Sequence, residues 1–360
     1  MSKSRAFLLN PESRQRQLVD CSSPTYKTDN PLTNPTNGSW WIVQIRPTKP
    51  TTLLQIPPTA VGGLFKSGLQ GLFLPVVGFT LRRMQLAHFT TLNWAYQLHY
   101  YICFRTHRRR ECVAENRSAE TLVSALTEIC QRHDYRMLES KVYPDHLRCL
   151  LSLRPEQAIS AAIQTIKANS SRECNQRLGL AAPLWARGYL ARGVGRAPLS
   201  VVKQYLDQQS EHHGYDKRVR PPIFRYRAEE PVNLSVAHAA FELNHHLVFA
   251  TRYRRGVFSS ELGKTLGDYW LKVAEKHGFA IDRMTIVPDH AHLLVRIAPK
   301  ISIADCVMAL LNNGQYYIGK YQPQALIEAG VDQLWQASAY AGTRGEFTTA
   351  LIKHWLSERE

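Results

Sequence analysis

Acidic residues are scarce in this chain of 360 residues: 29 Asp and Glu stand against 45 Lys and Arg, a formal net charge of +16. So little negative charge argues against a basic partner and for a polyanion, nucleic acid before membrane. Cysteine is sparse and unpatterned. Cys21, Cys103, Cys112, Cys130, Cys149, Cys174 and Cys306 are odd in number and form no C-x-x-C pair. That excludes a cysteine zinc ribbon and a full disulfide framework, and suggests reduced thiols in a cytoplasmic protein. Long apolar runs are also missing. The most apolar stretch, residues 62–79, is broken by Lys66, internal glycines and Pro75, which makes it a poor membrane span. Met1 to Asp20 is polar and charged, so no secretory leader is expected. What is present in quantity is hydrophobic residues, 44% of the chain, enough for two ordinary domains with cores.

The chain repeats itself. Pro144-Asp145-His146-Leu147-Arg148 returns as Pro288-Asp289-His290-Ala291-His292, displaced by 144 residues. Ile102 to Arg110 returns as Leu247 to Arg255, and Leu184-Trp185 with Gly195 returns as Leu334-Trp335 with Gly345. Landmarks in one order at nearly constant spacing indicate a duplication.

Each copy has the same periodicities. A strand near His99 to Arg105 corresponds to Asn244 to Thr251, and a helix through Leu122, Ala125, Leu126 and Ile129 to Leu262–His277. A strand then carries the His motif. A helix near Pro155 to Leu178 corresponds to Ile303–Tyr321, and a last helix from Leu199 to Gln209 to Thr348–Ser357. The expected fold class is α+β, two tandem ferredoxin-like (RRM-like) domains with antiparallel sheets. The expected divisions are an N-terminal extension, 1–88, rich in basic, Pro and Thr residues and partly disordered; a first domain, 89–213; a basic linker, 214–235; and a second domain, 236–360.

Strand side chains alternate, so His290, His292, Leu294 and Arg296 share one face and Ala291, Leu293, Val295 and Ile297 the other, the natural core face. Two imidazoles side by side on an exposed strand face suit one divalent metal ion. The alternative is two surface histidines. In the last helix of the first copy, Tyr205 and Gln209 lie one turn apart. They suit a nucleophile and a further metal ligand, or equally a plain helix surface.

The run Asn244-His245-His246-Leu247-Val248-Phe249-Ala250-Thr251-Arg252-Tyr253-Arg254-Arg255, followed by Pro288-Asp289-His290-Ala291-His292, resembles the single-tyrosine HUH transposases of bacterial insertion sequences and their REP-associated relatives. Leu184 to Tyr189, Gly195 and Val201 to Gln209 resemble the C-terminal signature of the same family. The resemblance implies single-stranded DNA cut and rejoined through a 5′-phosphotyrosine, with a hairpin-containing partner and a prokaryotic, nucleoid-associated setting. It implies Tyr205 as nucleophile, with His290, His292 and Gln209 as ligands of Mg2+ or Mn2+. Phenols ionise near pH 10 and are poor nucleophiles at neutrality, so such chemistry needs electrostatic help.

Neither copy matches that pattern completely. Arg148 stands where the first copy needs its second histidine beside His146, and arginine cannot ligate a cation. Trp355 and Arg359 stand where the second copy needs Tyr and Gln. The family's members are typically homodimers in which one subunit's tyrosine helix serves the other's histidines. The resemblance therefore implies an intramolecular pseudodimer. One composite site would join Tyr205 and Gln209 to His290 and His292; the degenerate second would hold His146, Arg148, Trp355 and Arg359. Arg108, Arg109, Arg110, Arg148, Arg252, Arg254 and Arg255 are expected to contact DNA phosphates. Trp185 and Trp335 are expected in the core and His245 and His246 in structural roles. Asp145 and Asp289 are expected to shape the turns before the His positions, the alternative for Asp289 being an orienter of the histidine. The competing reading is a catalytically silent protein that binds a DNA hairpin. A replication-initiating or relaxase-type nuclease fits less well, because its motif order generally differs.

Overall fold

The computed structural model describes residues 86–180, 183–207 and 223–358. The expectations for the N-terminal extension up to residue 85, for residues 214–222 of the basic linker, and for Gln209 and Arg359 fall outside them.

The first copy runs β1 (Asn93–Gln97), β2 (His99–Arg105), α1 (Asn116–Arg132), β3 (Arg136–Tyr143), β4 (His146–Ser152), α2 (Ile159–Leu178), β5 (Tyr189–Val194) and α3 (Leu199–Asp207). The second runs β6 (Phe224–Arg227), β7 (Ala239–Glu242), β8 (Asn244–Thr251), α4 (Ser260–His277), β9 (Phe279–Val287), β10 (His290–Ile297), α5 (Ile303–Tyr321), α6 (Pro323–Glu328), β11 (Trp335–Arg344) and α7 (Thr349–Ser357). The helices form where local chemistry supports them. α1 buries Leu122, Ala125, Leu126 and Ile129 on one stripe. Ser259, Ser302 and Thr348 cap α4, α5 and α7, each side chain accepting a backbone N–H from the first turn. Gly179 and Gly278 end α2 and α4 in the left-handed conformation.

Both copies follow β-α-β-β-α-β order. The first sheet is ordered β3-β4-β2-β5 and the second β9-β10-β8-β11, antiparallel throughout. This is the ferredoxin-like arrangement, twice. Helices α1 and α2, with α4 and α5, cover one face of each sheet. Phe104, Leu147, Phe249, Leu293, Trp270 and Trp335 belong to a core that runs through both copies.

Each copy also extends the other's sheet. β1 pairs in parallel with β11, and β7 in parallel with β5. The chain passes from one sheet to the other at Leu98 and at Leu243, both buried. The sheets are therefore not wholly antiparallel: each carries one parallel edge pair contributed by the other copy. A second departure lies within the expected linker, where residues 224–227 form β6 along β9. Phe224 is the physical reason, since its Cβ faces Gly263 and its ring faces Gly267 of α4, where an added Cβ would collide with it.

Glycines mark the closest approach of the two copies. A Cβ on Gly345 would lie 1.9 Å from the Gly193 carbonyl oxygen, and one on Gly195 2.4 Å from that of Thr343. The contacts are reciprocal: the Leu199 N–H donates to the Gly345 carbonyl and the Thr349 N–H to the Gly195 carbonyl, each at 2.8 Å. Each last helix thus starts from an anchor on the other copy.

Candidate active site

His290 and His292 lie on β10 opposite Ala250 and Val248 of β8, and Leu294 lies opposite His246. That face was expected to be exposed. It is buried instead, with His290 2% and His292 6% accessible. The cause is α3, which comes from the first copy and lies over the second sheet. Val202 and Leu206 of α3 pack on Leu294, with Leu199 and Tyr205 alongside. Polar contacts fix its position. Thr285 Oγ1 donates to the Leu206 carbonyl at 3.0 Å, Arg283 forms an ion pair with Asp207, and Lys203 lies 3.3 Å from Asp282.

This packing brings Tyr205 to the histidines. Its ring stands edge-on to His292, with centroids 5.7 Å apart at 81°, and 6.4 Å from His246. The His290 and His292 rings are 4.9 Å apart. His290 Nδ1 is 2.6 Å from Asp289 Oδ1, and Arg254 Nη2 is 3.0 Å from the other Asp289 oxygen. Burial works against the Asp289 charge, but the His290 hydrogen bond and Arg254 outweigh it and hold the carboxyl below its usual range. An ionised Asp289 accepts from Nδ1, so the neutral ring keeps its lone pair on Nε2, the tautomer a metal ligand needs.

His246 belongs to the same cluster, although adjacency to His245 at a strand start points to a merely structural role. Its Nε2 is 3.1 Å from His292 Nδ1, and the two rings stack at 5.3 Å and 14°. Burial, reinforced by Arg344, pushes His246 down to about 3, so the ring is neutral. Its pairing register with Leu294 across β10 is what brings it in, and register is not visible in sequence.

The donor chemistry fits a divalent ion that accepts nitrogen as well as oxygen ligands. Among the described residues no group of three or more His, Cys, Asp or Glu side chains could hold an ion. A full shell therefore requires other donors, such as an amide or phosphate oxygen.

The first copy's equivalent site is assembled in the same way and filled differently. Helix α7 lies on the first sheet, with Ile352 and Leu356 packed against Tyr101, Cys103, Leu150, Leu190 and Val194. His146 Nδ1 is 2.6 Å from Asp145, and its ring stacks on Tyr143 at 4.3 Å. The Arg148 guanidinium lies over the rings of Tyr143 and Trp355, 4.7 and 4.6 Å from their centroids.

The basic turns are conformationally matched. Arg108 and Arg109 have φ of 57° and 55°, and Tyr253 and Arg254 54° and 56°. Four non-glycine residues in the left-handed region at equivalent places carry strain of a kind associated with functional turns. Several of these arginines have protein partners. Arg110 donates to the Pro183 carbonyl at 3.0 Å, Arg252 lies 3.5 Å from Asp332, and Arg254 is held by Asp289. Trp185 and Trp335 are buried, as expected of core residues. Six free cysteines lie among the described residues, five of them buried, and no described helix is long and apolar enough to cross a membrane.

Comparison with known proteins gives this geometry its family. The model of the IS200-like transposases matches twice, over residues 94–209 and 239–359. The ISDra2 transposase TnpA of Deinococcus radiodurans is 29% identical over 119 residues, 33% of this chain and 85% of the relative. The transposase of insertion sequence element IS200 from Salmonella typhimurium is 28% identical over 127 residues, 34% of this chain and 84% of the relative. Among solved structures, a REP-associated tyrosine transposase bound to a REP hairpin aligns over 37% of this chain and 77% of its own, with 14% identity and a TM-score of 0.24. A candidate transposase from Deinococcus radiodurans R1 aligns over 32% of this chain and 92% of its own, with 21% identity and a TM-score of 0.27. With the family's domain matched on both copies, this chain belongs to the IS200-like transposases.

Proposed function

We propose that this transposase cuts and rejoins single-stranded DNA through Tyr205, in one composite site that takes its nucleophile from the first copy and its histidines from the second. The observation that carries the reading is the edge-on approach of the Tyr205 ring to His292 across the boundary between copies. The chain is then a pseudodimer with one complete set of parts.

The chemistry is a transesterification. The Tyr205 oxygen attacks phosphorus, a tyrosyl O–P bond forms and the P–O3′ bond breaks. The phenol loses a proton and the departing 3′-oxygen gains one, so the step is balanced. The 5′-phosphotyrosine conserves the bond energy, and attack by a 3′-hydroxyl reverses the step without a nucleotide cofactor. His290 and His292, with Gln209, would hold Mg2+ or Mn2+, which when bound neutralises phosphate charge and acts as a Lewis acid. Asp289 and His246 hold the two imidazoles in register. Helix α3 and Leu294 exclude water from the histidine face, which strengthens every electrostatic interaction made there.

The test uses 5′- and 3′-labelled single strands from the DNA flanking the gene, with manganese or magnesium. An SDS-resistant protein–DNA adduct is expected in the wild type and should be absent from Tyr205→Phe and His292→Ala. Hairpin binding without an adduct, unchanged in Tyr205→Phe, would instead identify a silent DNA-binding protein.

A further inference from the structure

The first copy's half-site holds a permanent cation where the second copy has His292. Arg148 sits on β4 with its guanidinium carbon over two rings, 4.7 Å from the Tyr143 centroid and 4.6 Å from that of Trp355 on the exchanged helix α7. Stacking occupies the faces of a guanidinium and leaves its five N–H donors in the plane. Arg148 gives none of them to a described residue, and its Nε is shielded from solvent. The residue as a whole is only partly buried. A shielded donor without an acceptor is costly, and arginine cannot lose its charge to relieve the cost.

The surroundings reinforce the positive field. Lys141 lies directly across β3 from Arg148, and Arg105 lies across β2 from His146 on the same face. Of the nearby carboxylates, Asp145 is taken by His146, while Glu139 shares the face two residues along β3 from Lys141. A planar cation packed against two rings, with its N–H donors given to no described residue and further positive charge beside it, suits an anion with paired oxygens. On a chain that acts on DNA, that anion is a backbone phosphate.

We propose that the degenerate half-site is a metal-independent phosphodiester-binding site, in which the edge of Arg148 grips one phosphate of a DNA strand that is not being cut. This rests on DNA being the substrate, and it gives the second half-site a holding role in place of catalysis.

The experiment measures binding of a fluorescein-labelled oligothymidylate to the full chain in EDTA, over a series of salt concentrations. Arg148→Gln should bind about tenfold more weakly, the scale of one lost hydrogen-bonded charge contact. Its logarithmic salt dependence should be shallower by about 0.7, the value for one phosphate on a single strand. Unchanged affinity and slope in a folded Arg148→Gln chain would overturn the proposal. A second measurement needs no variant. Bromodeoxyuridine-substituted strands, irradiated on the wild-type chain in EDTA, should cross-link to the peptides carrying Tyr143 or Trp355. Cross-links confined to the second copy would overturn it equally. Neither measurement requires a metal or the Tyr205 hydroxyl, so failure here leaves the cleavage reading standing, and absence of an adduct leaves this one standing.

Discussion

His245 and His246 are neighbours on β8 and so point to opposite faces of the sheet. His246 turns toward His292. His245 turns toward the other copy, where its Nε2 meets the Tyr100 hydroxyl at 3.0 Å. Tyr100 and His245 occupy corresponding positions, so equivalent side chains of the two copies meet each other. Burial pushes His245 down to about 3, a backbone contact at Leu243 opposes this, and Arg344 adds to it. The unfolded chain takes up that proton near pH 6.5 and the folded chain only near 3. Between those values the unfolded state binds more protons, so stability rises with pH across the window and is lost as pH falls below about 6.5. His246 acts in the same direction. So does His99, lowered to about 4 by burial and by Lys353, Arg136 and Arg196. Denaturant titrations between about pH 7 and pH 5 should therefore show falling stability. In His245→Gln the slope should be shallower by up to about 1.4 kcal/mol per pH unit. An identical slope would remove His245 from the account.

At the scale of elements, the exchange of α3 and α7 depends on backbone crowding that only glycine allows. The atom facing the Cβ position of Gly345 is a carbonyl oxygen of the other copy, which cannot swing aside as a side chain could. Gly345→Ala should cost upwards of about 2 kcal/mol by overpacking. It should also weaken the Tyr205 adduct, because the start of α3 is bonded to the Gly345 carbonyl. Gly256→Ala is the control: its nearest neighbour would be Pro288 Cβ at an ordinary 3.5 Å, and little change is expected. Thermal midpoints of the two variants would separate them, and equal midpoints would show that the close approach is not needed. The helices common to both copies and strands β2, β4, β8 and β10 were legible in the sequence because their periodicity is local and each occurs twice, whereas β3, β5, β9 and β11 were not read from it one by one and follow only from the fold class. The short strands β1, β6 and β7 were not, because each of them forms by pairing with a distant part of the chain. Alternation likewise identified the face shared by His290 and His292 but not what covers it. The pattern read that face as exposed because the residues that bury it lie some ninety positions away, on α3.

At the scale of the whole molecule, the two exchanges are reciprocal, so the His-motif strand of each copy is packed against the last helix of the other. On the proposed reading only one position is complete, and a chain can carry one covalently bound strand. Denaturing mass spectrometry of the adduct should show a single strand per chain even with DNA in large excess. The same argument predicts how to obtain two. Arg148→His would restore a second imidazole beside His146, whose Nδ1 already has its carboxylate partner in Asp145, as His290 has in Asp289. Trp355→Tyr would place a phenol on α7, which packs over the first sheet as α3 packs over the second. With Arg359→Gln, the triple variant would present both composite sites with the same nucleophile and ligand residues, Tyr101 still standing in the first copy where His246 stands in the second. Its adducts should include chains bearing two strands, at the expense of whatever grip Arg148 exerts on an uncut one. If the triple variant folds, retains its Tyr205 adduct and still never exceeds one strand per chain, then the equivalence of the two half-sites fails, and with it the idea that Arg148, Trp355 and Arg359 alone silence the second position.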